Sequence, residues 1–215
     1  MMNEFQIEEN AFKYLKETFK NDCSGHDYYH SVRVYKNAVN IAQKEGGNLF
    51  LIKLAALLHD VDDSKLFDTS DKLQNARKFL VENGVDDSSI NEICKIIKSV
   101  SFKGNGSVIP DSLEGKIVQD ADRLDALGAI GIARTFAYGG HKGRPIHEPY
   151  EKPIDNMAAK EYENHISTSI NHFYEKLLKL KNLMNTDTAI SLAENRHVFI
   201  KKYLDEFTNE WDGNR

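Results

Sequence analysis

The sequence predicts an all-α protein, and three observations carry that expectation. Apolar residues recur at helical spacing through most of the chain. Only four prolines interrupt 215 residues. No stretch alternates apolar and polar positions between turn signals as a strand would. The length suits one domain that can bury a proper core. The expected architecture is a single helical bundle of about eight helices.

The first helix is expected over Phe5–Phe19, where Ala11, Phe12, Leu15 and Phe19 share a face. Asn21-Asp22-Cys23-Ser24-Gly25 breaks it, and Ser24 is a candidate cap for the next helix. That second helix is expected from about Asp27 to Glu45, with Val32, Tyr35, Val39 and Ala42 inward and Gly46-Gly47 as its stop. Asn48 caps a third over Leu49 to about His59, apolar on nearly all sides and hence central. A polar loop, Asp62–Ser70, leads to amphipathic helices over about Asp71–Asn83 and Ser88–Val100. Leu113–Ala137 reads as helix, with Gly128 and Gly131 marking close packing or a break. Gly139–Pro153 lacks periodicity and is a candidate active-site flap. Helices over about Ala158–Met184 and Thr188–Phe207 finish the chain.

Composition narrows the function. Charged residues make up 28% and the formal net charge is −5, which argues against a nucleic-acid polymer as partner while leaving room for a small phosphorylated ligand. The two cysteines, Cys23 and Cys94, supply neither a disulfide framework nor a Cys-based zinc pattern, and a reducing cytoplasm is the expected home. No signal-peptide pattern opens the chain, and no apolar run is long enough to span a bilayer, so no membrane partner is expected.

Three polar clusters stand out against this background. Leu54-Ala55-Ala56-Leu57-Leu58-His59-Asp60-Val61-Asp62-Asp63 ends an apolar run in a histidine, an aspartate and two more carboxylates, and burying His59 and Asp60 demands a compensating partner such as a metal ion. His26, His30 and Arg33 would share one helix face if the helix includes His26. Asp120-Ala121-Asp122-Arg123-Leu124-Asp125 puts three carboxylates in a largely apolar helix. On a wheel, Asp122 and Asp125 fall on one side and Asp120 nearly opposite. Arg123 could pair with one of the three, and a salt-bridge network alone would also explain them. Together the clusters offer two imidazoles and two carboxylates, a mixed set suited to Mn, Fe, Co, Ni or Mg.

The order His30 … His59-Asp60 … Asp122 resembles the H…HD…D signature of the HD-domain metal-dependent phosphohydrolases. Gly25-His26-Asp27-Tyr28-Tyr29-His30-Ser31-Val32-Arg33-Val34 is similar to the opening of a small bacterial subgroup of that superfamily. So are Gln119-Asp120-Ala121-Asp122-Arg123-Leu124-Asp125-Ala126, Tyr138-Gly139-Gly140, His172-Phe173-Tyr174-Glu175-Lys176-Leu177 and Glu210-Trp211. The resemblance spans nearly the whole chain. It implies a helical bundle with its metal-site core over about residues 24–138 and C-terminal helices over 158–207 covering it. It implies His30, His59, Asp60 and Asp122 as ligands, with Asp122 preferred over Asp125 because the superfamily's last ligand occupies the Ala-Asp position. It further implies cleavage of (deoxy)nucleoside triphosphates into monophosphate and pyrophosphate. Enzymes of the superfamily that hydrolyse the guanosine alarmone carry Glu-Asp where this chain has Asp63-Ser64, which argues against that activity. Dinuclear members need more histidines, and His26 is the nearby spare, so one divalent ion is expected.

The remaining polar residues suggest roles of their own. Asp63, one turn past His59, is placed to orient or deprotonate a water. Lys65 could meet a phosphate oxygen as a point charge. Arg33 could grip a phosphate or brace Asp60 or Asp122. His26, His141 and Arg144 are candidate substrate contacts, the last two on the flap. Tyr28-Tyr29 could stack a base, although core packing is the commoner fate of such residues. Rival activities are a phosphatase on nucleoside monophosphates or another small phosphoester, and a silent nucleotide sensor. The C-terminal helices could pair two copies into a homodimer or simply cover the core.

Overall fold

The structure, a computed structural model, describes residues 2–20, 27–63, 73–100, 108–155, 165 and 167–214. Every regular element among these residues is a helix, so the chain is all-α. Residues cluster into two compact units, one of Met1–Ser101 with Val108–Asp122 and one formed mainly by Arg123–Arg215.

In the first unit, α3 (Leu49–Leu58) packs against α1 (Glu4–Thr18), α2 (Tyr28–Glu45) and α5 (Asp87–Val100). Its Ile52, Leu54, Ala55, Ala56, Leu57 and Leu58 are all buried, as an apolar circumference requires. A half-buried polar clasp ties the three N-terminal helices. The Tyr35 hydroxyl donates to Glu8, and Lys53 Nζ lies 2.7 Å from the same carboxylate. Each of these helix starts is satisfied by a short polar side chain. Asn3 and Gln6 exchange bonds in a capping box on α1, and Asn48 accepts from Phe50 and Leu51 on α3. For α2 the cap is Asp27, which accepts from the His30 amide at 2.8 Å. The expected cap Ser24 lies outside the described residues, and α2 begins at Tyr28. α4 (Gln74–Glu82) starts later than expected; Asp71 lies outside the described residues. α6 (Leu113–Asp125) supplies this unit's last stretch, as far as Asp122.

In the second unit, the expected single helix over Leu113–Ala137 is broken. Gly128 takes φ +71° to open α7 (Gly128–His141), a conformation a side chain would resist. Gly139, Gly140 and His141 are helical, against the irregular segment expected there. A Cβ at Gly139 would lie 2.2 Å from Ser169 Oγ, so the glycine serves close helix packing and not a loop. Of the helix expected over about Ala158–Met184, residues 158–164 and 166 lie outside the described residues, and the described part is corrected. His165, Ser167 and Thr168 are not helical, and α8 (Ser169–His172) begins only after Thr168 caps Asn171. A π turn (Phe173–Leu177), α9 (Leu178–Leu180) and a 3₁₀ turn (Lys181–Leu183) continue it. The buried Glu175 in the π turn draws on the non-helical residues before α8. Its Oε1 accepts from the Ile154 amide and the Ser167 hydroxyl and lies 3.1 Å from His165 Nε2. α10 (Asp187–Trp211) outruns its expected end because Tyr203, Phe207 and Trp211 continue one aromatic stripe, with His147 4.8 Å from Trp211.

Candidate metal centre

The N-cap bond from Asp27 fixes the first turn of α2, and His30 in that turn is fully buried. His59 follows the last residue of α3, where the apolar run has carried it inside. Its Nδ1 lies 2.8 Å from the Ala56 carbonyl. A carbonyl only accepts, so Nδ1 carries the proton and Nε2 faces the other way. That nitrogen is 3.2 Å from His30 Nε2. Asp122, on the last turns of α6, sends Oδ1 to within 3.5 Å of His30 Nε2 and 3.8 Å of His59 Nε2. Asp60 divides its oxygens, Oδ2 at 3.2 Å from His30 and Oδ1 at 3.3 Å from His59.

Two ring nitrogens this close, with carboxylates on either side, need positive charge between them. In the metal-free chain a proton supplies it. Burial opposes charging His59, but Asp60, Asp122 and the Ala56 carbonyl outweigh burial and lift its pKa to about 9. A divalent ion fits the same place. Ligand atoms about 2.1 Å from one ion stand roughly 3.0–3.4 Å apart at octahedral to tetrahedral angles, close to the separations found. Among the described residues, His30, His59 and Asp122 each bring one ligand atom within 4.8 Å of the others, so the cluster could hold a metal ion. Asp122 keeps a side-chain exposure of 27%, which leaves the cluster reachable from solvent.

The other expected site residues divide. Asp63 is half-buried, with its amide donating to the Asp60 carbonyl at 3.1 Å. Arg33 is half-buried on α2, nearly one turn beyond His30. His26 and Lys65 lie outside the described residues. His141 and Arg144 belong to the second unit, His141 exposed and Arg144 stacked on the Tyr138 ring at 5.5 Å. Asp125, the rejected alternative to Asp122, is buried and bound to Arg134 at 2.8 Å. The guanidinium of Arg123, which could pair with a carboxylate of its cluster, donates to the Leu183 carbonyl. Tyr28 and Tyr29 meet edge to face, and Tyr29 is exposed, not packed in a core. Sequence reading gave no role to the Ala56 carbonyl or Asp62, and none to Asp27 as the cap residue itself. A three-residue offset links Asp27 to His30 and Ala56 to His59, and that spacing was the available signal.

Comparison with known proteins agrees with this geometry. The HD domain family model matches residues 27–127, which contain the whole cluster. Protein YpgQ of Bacillus subtilis (strain 168) is 38% identical, with 99% of this chain and 97% of YpgQ aligned. The crystal structure of an HD-superfamily hydrolase from Bacillus thuringiensis is 42% identical with a TM-score of 0.76, covering 98% of this chain and 99% of that one. The structure of Bacillus subtilis YpgQ in complex with ADP is 36% identical with a TM-score of 0.75, covering 94% and 97%. The ordered His30, His59-Asp60 and Asp122, the helical fold and these full-length likenesses make the chain a member of the HD superfamily of hydrolases.

Proposed function

We propose that the chain is a divalent-metal-dependent phosphohydrolase that splits (deoxy)nucleoside triphosphates into monophosphate and pyrophosphate. The supporting observation is the 3.2 Å approach of two buried imidazole nitrogens toward each other, with Asp60 and Asp122 alongside. In this reading His30, His59, Asp60 and Asp122 hold one divalent ion, drawn from Mn, Fe, Co, Ni and Mg. Such an ion, when bound, polarises a phosphoryl oxygen and lowers the pKa of a bound water.

The chain's own residues do the rest. Asp63 orients the attacking water and takes its proton. The water oxygen bonds to the α-phosphorus, the bond from that phosphorus to the bridging oxygen breaks, and pyrophosphate leaves with the electron pair. Arg33 offers a planar fork to phosphate oxygens or braces Asp60 or Asp122. Lys65 and His26 are assigned to contacts along the substrate. A nucleotide as substrate is favoured because the relative YpgQ was crystallised with ADP.

Product analysis with NTPs, dNTPs and NMPs plus Mn²⁺ tests the reading. Pyrophosphate and monophosphate from triphosphates are expected. Orthophosphate from monophosphates alone would make the protein a phosphatase. Tight nucleotide binding without turnover would make it a sensor.

A further inference from the structure

Three carboxylates, Asp60, Asp62 and Asp63, crowd the stretch after His59, and they do not share one task. The chain leaves α3 in tight turns, with Val61 N–H donating to Leu58 C=O at 3.3 Å and Asp63 N–H to Asp60 C=O at 3.1 Å. Asp60 faces the two imidazoles. Asp62 points elsewhere and is only 3% exposed. Its Oδ1 accepts from the Asn75 amide at 3.0 Å and its Oδ2 from the Ala76 amide at 2.9 Å. The Asn75 side chain returns a bond to the Val61 carbonyl at 2.8 Å.

These three bonds form a reciprocal clasp between residues 61–62 and the first turn of α4. The helix cannot cap itself. Its N-cap residue, Leu73, has a hydrocarbon side chain and a left-handed backbone at φ 48°, ψ 50°, where helix starts are normally extended and carry a side-chain oxygen. Among the described residues Leu73 is the one non-glycine residue with positive φ. Ala76 is fully buried, so without Asp62 its amide would lose the acceptor a first-turn N–H needs. A carboxylate also suits the positive end of a helix. With both oxygens engaged by backbone amides, Asp62 is poorly placed to ligate an ion or move a proton.

We propose that Asp62 is a positioning residue for hydrolysis. Its role is indirect: by clasping α4 it pins the peptide that leads into Asp63, the carboxylate to which the proposed function gives the attacking water. This inference rests on the role given to Asp63 under the proposed function.

The test compares Asp62→Ala with Gly128→Ala, both as Mn²⁺-loaded full-length protein. Gly128→Ala, strained at φ +71°, should lower Tm with kcat unchanged. Asp62→Ala should lower Tm and lower kcat by about tenfold or more, with KM and Mn²⁺ affinity within about twofold of the parent. A kcat no lower than that of Gly128→Ala, or a fall in Mn²⁺ affinity that matches the fall in kcat, would overturn the positioning role. If Asp62→Ala does not fold, Asp62→Asn, which keeps one acceptor oxygen, should fold and show an intermediate kcat; parental kcat there would also overturn it. Hydrogen exchange reads the clasp without activity. The Ala76 amide should be protected in the parent and in Gly128→Ala and exposed in Asp62→Ala, and free exchange in the parent would remove the clasp. A parent that turns over no nucleotide would instead end the proposed function, and the positioning role with it, leaving the Ala76 result to judge the clasp alone.

Discussion

Raising the pH of the metal-free protein should weaken its fold through one side chain, His59. The folded-state pKa is about 9 against 6.5 for an unperturbed imidazole. Between those values the folded chain holds a proton the unfolded chain has released. The stabilisation is therefore fully present below pH 6.5 and is lost as pH rises through 9. A rise of this size corresponds to roughly 3 kcal/mol, with little solvent screening because the side chain is buried. Urea unfolding in EDTA across this range, for the parent and for His59→Gln, isolates the effect, since the variant has no such proton to lose. The parent's advantage over His59→Gln should shrink by that amount as the pH climbs. Parallel curves would refute the charge balance assigned to His59, Asp60 and Asp122. With Mn²⁺ present the trend should invert, because the ion and the proton compete for the same nitrogen and the ion's stabilising effect grows with pH.

Three further outcomes are expected. Asp60→Ala should abolish both metal retention, read by elemental analysis, and nucleotide turnover; full activity would remove the role given to that carboxylate. Gly128→Ala should cost about 1–2 kcal/mol in chemical denaturation, because alanine must adopt φ +71° against the stem of Arg196. Leu57→Ala, at a fully buried position of α3, should cost about 2–5 kcal/mol through lost burial and a cavity, measured in the same way.

The helices were legible where period and punctuation agreed. α3 is apolar all round and bracketed by Asn48 and His59, and it lies where its sequence places it, at the centre of its unit. Reading failed where a glycine served packing and not a turn. Gly139 beside Ser169 continues α7, because the tight approach that requires glycine is made by a residue far along the chain. It failed again at His165 and Ser167, which leave the expected helix for hydrogen bonds with Glu175, a partner no local pattern reveals. The imidazole–carboxylate cluster was legible through its order along the chain. The choice of Asp122 over Asp125 came from resemblance, and its physical reason is the Arg134 guanidinium that binds Asp125. Asp62 was hidden in the sequence by its neighbours, since three nearby aspartates look alike until the structure shows which amides one of them serves.

Anomalous scattering from a crystal grown with Mn²⁺ tests the central claim most directly. One ion should appear about 2.2 Å from His30 Nε2, His59 Nε2 and an oxygen of each of Asp60 and Asp122. A cluster left empty at saturating Mn²⁺, or an ion bound through Asp125 or Asp62 instead, would contradict it.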